Sequence, residues 1–187
     1  QIACEVFGIP MRKVNFICQD TMLAPMDNGT MDSRATYGAG HAVKNAALDA
    51  RSKIFDVAAA HLGVRAEQLQ CKDELISSIY DDNRFINFWE AVRMYQEVQG
   101  TVFGTGDYTP PQPRGDYDGK IIGPSPAFGF TAQIAEVDVN LRTGQVKVLK
   151  YYEATDCGKA VNPASVEGQV EGGVVMGLGQ ALIEEIV

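Results

Sequence analysis

The chain has 187 residues, 45% of them hydrophobic, and its 16 basic and 24 acidic side chains give a net charge of −8. That is ordinary globular material, long enough for one domain or two small ones with a real core. The acidic balance argues against nucleic-acid binding, which leaves a basic footprint, and it identifies no substrate, because an acidic surface mostly serves solubility.

Cys4, Cys18, Cys71 and Cys157 are scattered without a C-x-x-C pair, and neither His41 nor His61 stands at ligand spacing from two cysteines. We read them as buried free thiols in a reducing, cytoplasmic setting rather than a disulfide frame or a zinc site. The longest apolar run, residues 172–183, is interrupted by Gln180 and falls short of the ~20 residues a membrane span needs. The chain starts at Gln1 with no secretory leader and stops at Val187 inside an apolar stretch, so it is expected to be a fragment of a longer polypeptide.

The first residues read as the last turns of a helix closed by Gly8. Residues 13–19 alternate as a strand, and a turn-rich loop follows from Asp20 to about Ser33. Residues 33–61 form a long alanine-rich helix whose stripe is Ala35, Ala39, Ala42, Ala46, Ala50, Val57 and Ala58, widened by Val43, Ala47 and Ile54. So many small side chains imply that another element packs very close. Leu62-Gly63 ends the helix. One or two short strands occupy 69–80, with Asp81, Asp82 and Asn83 as the turn. Residues 85–98 read as a helix with Asn87 as N-cap, Phe88, Val92 and Tyr95 on one face, and Gly100 closing it.

Residues 101–108 are extended, and the proline- and glycine-rich stretch 109–125 is a long surface connection. Residues 130–141 and 146–154 alternate around the turn Arg142, Thr143, Gly144, Gln145, which predicts a β-hairpin with Glu136 and Asp138 on its wet face. After Asp156, Cys157 and Gly158 break the strand, Asn162-Pro163 starts a final helix that runs through Gly168, Gly172, Gly173, Gly177 and Gly179 to the end. Each glycine costs a helix roughly 0.5–1 kcal/mol relative to alanine, so a backbone or a ligand should approach closely. The predicted fold class is α+β, with a long Ala-rich helix, a hairpin and a Gly-rich C-terminal helix. A subdivision into 1–108 and 126–187, joined by 109–125, fits the composition.

Two segments could carry chemistry. The loop-to-helix junction through Gly29, Thr30, Met31, Asp32, Ser33, Arg34 and Ala35 would aim unpaired N–H groups at one point, with the helix dipole adding positive potential. That suits a phosphate; the alternative is simple capping by Asp27, Thr30 or Ser33. The second is Gln169 between Gly168 and Gly172, whose amide could serve a ligand, or whose surroundings could simply pack tightly through small residues. His41 reads as packed or solvated, and Glu184 and Glu185 as solvated charges. No serine, cysteine or lysine stands in a nucleophile motif, and no residue is assigned a catalytic or metal-ligating role.

Taken together, three segments resemble the large molybdenum-binding subunit of the xanthine oxidase family. They are Asp27-x-Gly29-Thr30-x-x-Ser33-Arg34-x-Thr36-x-x-x-Gly40-x-Ala42-Val43, then Pro126-Ala127-Phe128-Gly129 leading to residues 132–137, and Asp156-x-Gly158-x-x-x-Asn162-Pro163 continuing through residues 167–172 and 176–179. The resemblance spans essentially the whole chain in order. It implies a partial molybdopterin-binding domain, with residues 29–35 holding the pterin and its phosphate and Gln169 hydrogen-bonding the cofactor. Asp32 stands where a small residue is more usual, and its carboxylate would have to point away from a phosphate.

The implied cofactor is molybdopterin or molybdopterin cytosine dinucleotide with molybdenum. The implied partners are the rest of the molybdenum subunit, iron–sulfur and FAD subunits or domains, and a small-molecule substrate, with neither nucleic acid nor membrane. The implied chemistry is hydroxylation or dehydrogenation of aromatic heterocycles, aldehydes or aromatic acyl-CoA, the wording of residues 123–129 resembling the 4-hydroxybenzoyl-CoA reductase type and a purine or nicotinate hydroxylase fitting nearly as well. The family's general-base glutamate is expected past Val187, so this chain alone is expected to be inactive. The rival reading is a non-catalytic α+β interaction domain whose glycine helix only packs against a partner.

Overall fold

A computed structural model describes residues 1–17, 20–22, 24, 26, 27, 29–31, 33–110 and 127–185. The chain divides into two compact units, Gln1–Pro110 and Pro111–Val187.

The first unit opens with helix α1 (Ile2–Phe7), stopped by Gly8 at φ 68° as its sequence position predicts. A single 3-10 turn, Met11–Lys13, follows. The expected strand at 13–19 does not form over its described residues: 14–17 carry no regular structure, and Phe16 and Ile17 lie more than four-fifths exposed. Alternation alone cannot make a strand without a neighbouring ladder to bond to. Cys18 and Gln19 lie outside the described residues.

Helix α2 spans Ala35–Leu62 and ends on Gly63 at φ 65°. Its buried side chains are Ala47, Ala50, Ile54, Phe55, Ala58 and Ala59. The predicted stripe is therefore right only in the second half; Ala39 and Val43 are exposed, and among the described residues no sheet lies beneath the first turns. The second half packs on an antiparallel sheet of three strands, β1 (Leu69–Lys72), β2 (Leu75–Ser78) and β3 (Asp81–Asn87), in the order β1-β2-β3. Ile76 and Ile86 face each other across β2 and β3 and join Ile54, Phe55, Ala58, Leu69, Phe88 and Ala91 in one core.

Two expectations are corrected here. Residues Asp81, Asp82 and Asn83 open β3, and the turn sits one step earlier, where the Tyr80 N–H donates to Ser78 Oγ (3.2 Å). Pairing Ile86 with Ile76 buries both, which outweighs the turn preference of the acidic residues. Helix α3 consequently starts at Phe88 and runs to Gln99, with Asn87 as the predicted N-cap accepting from the Trp89 N–H (2.9 Å). Phe88, Ala91 and Tyr95 are its buried face, and Gly100 closes it at φ 81°.

From Gly100 the chain runs extended along α2. A Cβ on Gly104 or Gly106 would overlap the α2 backbone at Ala46 and Ala42. This is the close neighbour that the alanines of α2 predict.

In the second unit, β4 (Phe130–Val139) pairs antiparallel with β5 (Val146–Asp156), as the alternation predicts. Glu136 faces Lys150, and Asp138 faces Lys147, across the ladder. Helix α4 (Pro163–Leu182) follows, with Asn162 accepting from the Ser165 N–H and Pro163 in the first turn. It stops at Leu182 rather than at the chain end, and none of its described residues is buried. The expected connection at 109–125 lies outside the described residues from 111 onward. Among the described residues no helix is long and apolar enough to cross a membrane.

Candidate functional site

The junction before α2 is built by two left-handed residues. The Asp27 carboxylate accepts from the Gly29 N–H at 2.6 Å, and Gly29 sits at φ 87°, a conformation that favours glycine. Ser33, at φ 54°, turns the chain a second time, and the Arg34 N–H donates to Met31 O (3.2 Å). The helix ladder starts with the Gly38 N–H on Arg34 O (2.8 Å), so the N–H groups of Ala35, Thr36 and Tyr37 precede it.

Capping by Asp27, Thr30 or Ser33 is not what forms. Asp27 spends its carboxylate on Gly29, and the N-cap position falls to Arg34, whose side chain makes no capping bond. Among the described residues none of the three leading N–H groups has an acceptor. Gly29, Thr30, Met31, Ser33 and Arg34 are exposed and Ala35 is half-buried; Asp32 lies outside the described residues. An exposed turn delivering three unpaired N–H groups at the positive end of a 28-residue helix, beside the Thr30 and Ser33 hydroxyls and the Arg34 charge, fits an anionic phosphate.

Gln169 lies in the other unit, exposed on the second turn of α4. Cβ atoms placed on Gly168, Gly172, Gly173 and Gly177 would meet nothing within 4 Å, whereas one on Gly179 would meet the Glu184 carboxylate at 2.6 Å. The described protein therefore supplies no close neighbour for four of the five glycines. What they leave is open space around an amide able to donate and accept, which fits a planar, hydrogen-bonding ligand. At the paired ends of β4 and β5 lies an open recess of about 400 Å³ lined by Phe130, Thr131, Ala132, Ala154, Thr155 and Asp156, none of them a predicted site residue.

One cluster escaped the sequence reading. His41 Nδ1 bonds Tyr37 O (2.6 Å), its ring stacks on Tyr108 with centroids 4.4 Å apart and 20° between planes, and the Tyr108 hydroxyl donates to the Tyr37 hydroxyl at 2.9 Å. That donation holds the Tyr108 hydroxyl above its ordinary pKa. His41 is thus packed, as expected, yet against a partner 67 positions away that no local pattern announces. Only the i, i+4 spacing of Tyr37 and His41 was available as a signal.

The cysteines divide by position. Cys4 is buried, Cys71 half-buried and Cys157 exposed, all three free; the expectation of buried thiols fails at Cys157, which follows the end of an exposed strand. Among the described residues no cluster of three or more His, Cys, Asp or Glu side chains is placed to hold a metal ion.

A family model described as the molybdopterin cofactor-binding domain matches residues 1–187, and the chain belongs to that family. It is 31% identical, over its full length, to the probable hypoxanthine oxidase XdhD of Escherichia coli K12, covering 18% of that protein. It is 31% identical to the nicotine 6-hydroxylase large subunit of Paenarthrobacter nicotinovorans, again over the full chain, covering 22% of the relative. The chain thus spans about a fifth of the length of these relatives. Quinoline 2-oxidoreductase from Pseudomonas putida 86 superimposes with a TM-score of 0.78 over 100% of this chain and 23% of that one, at 23% identity. That likeness bears on fold alone, and it bears out the α+β architecture. The resemblance to the xanthine oxidase family read from the motifs holds.

Proposed function

We propose that this chain is the cofactor-holding part of the large subunit of a molybdenum-dependent oxidoreductase. The observation that carries the reading is the start of α2, where Arg34 makes no side-chain cap and three leading N–H groups have no acceptor among the described residues, behind two left-handed turns, in a chain of the molybdopterin-binding family. Gly29 supplies the turn. Thr30 and Ser33 offer hydroxyls, Met31 covers the ligand, Arg34 adds positive charge, and the Ala35 N–H serves the phosphate; Asp32 belongs to the same turn by sequence, and its carboxylate would repel a phosphate it touched. Gln169 presents its amide to the pterin edge, where the bare backbone of Gly168 and Gly172 leaves room for a bulky plane.

When bound, the molybdenum group supplies the two-electron redox centre for hydroxylating an aromatic heterocycle or an aldehyde, or for acting on an aromatic acyl-CoA. The chain's own residues bind and orient that group. The remainder of the subunit supplies the substrate pocket and general base, iron–sulfur and FAD partners carry the electrons, and the enzyme works in the cytoplasm. The nucleotide-extended form of the cofactor suits the phosphate-binding turn as well as the simple form does.

Gln169→Ala in the full-length subunit tests the reading. Losing hydrogen bonds to a ligand costs about 1–3 kcal/mol, so retained molybdenum should fall about tenfold on dilution while the melting temperature holds. Full molybdenum content with a collapsed melting temperature would make Gln169 a structural residue instead.

A further inference from the structure

Helix α2 is longer than the core that supports it. Its buried side chains run from Ala47 to Ala59, so about a dozen residues, roughly 18 Å of helix, extend beyond the packed cluster. A helix end held by so little apolar contact frays unless something else fixes it. Two elements of the first unit do so. Ile2 of α1 lies against Gly40, where a Cβ would come within 2.9 Å of its Cδ1. The other is the extended segment 103–108.

That segment is attached at each step to one ridge of α2. Asn45, Asp49 and Lys53 stand at i, i+4 and i+8, on the same side of the helix. Lys53 Nζ donates to Phe103 O (2.7 Å), the Thr105 N–H donates to Asp49 Oδ2 (3.0 Å), and Asn45 Nδ2 donates to Asp107 O (2.8 Å). Thr105 first, then Lys53, holds the Asp49 carboxyl below its ordinary pKa, so this attachment persists at neutral pH. Gly104 and Gly106 have no side chain because the α2 backbone occupies that space. Beyond them, Tyr108 stacks on His41 and bonds the Tyr37 hydroxyl. Tyr37 is the third residue of α2 and carries one of the three leading N–H groups that have no acceptor among the described residues.

We propose that residues 103–108 form a positioning strap for the cofactor-binding end of α2, with Tyr108 as the residue that fixes the direction of its first turn. The proposal rests on the reading of that turn as the phosphate site. N–H groups bind an anion strongly only when their directions are set beforehand. Tyr108 touches no ligand in this account; it acts through Tyr37 and His41.

The test uses the full-length subunit carrying Tyr108→Ala, with amide hydrogen exchange, molybdenum content and melting temperature read on the same preparation. Exchange over residues 38–41, the first bonded amides of α2, should rise about tenfold, and retained molybdenum should fall severalfold, while the melting temperature changes little because the core at Ile54 and Ile76 is untouched. Tyr108→Phe keeps the stack and loses the hydroxyl bond, so it should fall between the two; it also serves if the alanine variant does not fold. Unchanged exchange over 38–41 would overturn the strap. Faster exchange with full molybdenum would also overturn it, and Gly29→Val then separates the causes: molybdenum lost in that variant leaves the phosphate site standing without its strap, and molybdenum retained removes both.

Discussion

At the scale of single residues, the backbone conformations that matter are those at Gly8, Gly29 and Ser33. Gly8 was legible because a helix ending in glycine is a local rule, and its φ of 68° confirms it. Its second constraint was not legible: a Cβ there would overlap the Cys71 carbonyl, more than sixty positions away. Ser33 was read as a capping candidate and proves to be a left-handed turn residue, since the rules that favour serine before a helix do not separate the two roles. Partial burial against the core has a consequence for Cys71. It pushes the thiol from 9.0 up to about 11, with Arg51 partly opposing. Above about pH 9 the unfolded chain releases this proton while the folded chain keeps it, so the contribution is complete below pH 9 and is lost as pH rises to about 11. The melting temperature should therefore fall less between pH 9 and pH 11 in Cys71→Ala than in the parent; parallel curves would contradict this.

At the scale of elements, the sequence was read best where local chemistry and tertiary packing agree. Helix α3 shows both sides. Asn87 is its cap, as the sequence indicates, yet the expected start at Phe85 lies too early, because Phe85 and Ile86 carry no mark separating the end of a strand from the first turn of a helix. Removing the cap in Asn87→Ala should cost about 1 kcal/mol, seen as a lower urea midpoint with an unchanged slope; an unmoved midpoint would mean that the Trp89 N–H finds another acceptor. The hairpin of β4 and β5 was legible throughout because alternation and a glycine turn coincide, with Gly144 at φ 75°. The strand expected at 13–19 does not form over its described residues for the complementary reason, as no described strand pairs with residues 14–17. In α2 the alanine stripe announced a close neighbour but could not say that the neighbour would be Gly104 and Gly106, since glycines in an extended segment look like any loop.

At the scale of the whole molecule, the two units differ in what they bury. The first has a core formed by α2, α3 and the three-stranded sheet; in the second, neither β4 nor α4 has a buried residue among those described. A two-stranded hairpin is marginal by itself, which accords with a chain spanning about a fifth of its relatives' length. The candidate site was legible in the sequence to the extent that it is local: a turn, a helix start, an amide among glycines. The strap that steadies the helix start was not, because it joins residues 37 and 108 through side chains whose types are unremarkable.

The account stands most directly on the turn before α2, and one measurement addresses it: molybdenum per polypeptide in the full-length subunit carrying Gly29→Val. A branched side chain at φ 87° is strained by roughly 1–2 kcal/mol, so the turn should reorganise and scatter the N–H groups. Among the described residues nothing lies within 4 Å of a Cβ there, so the fold should keep its melting temperature. The account predicts molybdenum content about tenfold below the parent's with the melting temperature preserved; content equal to the parent's would contradict it.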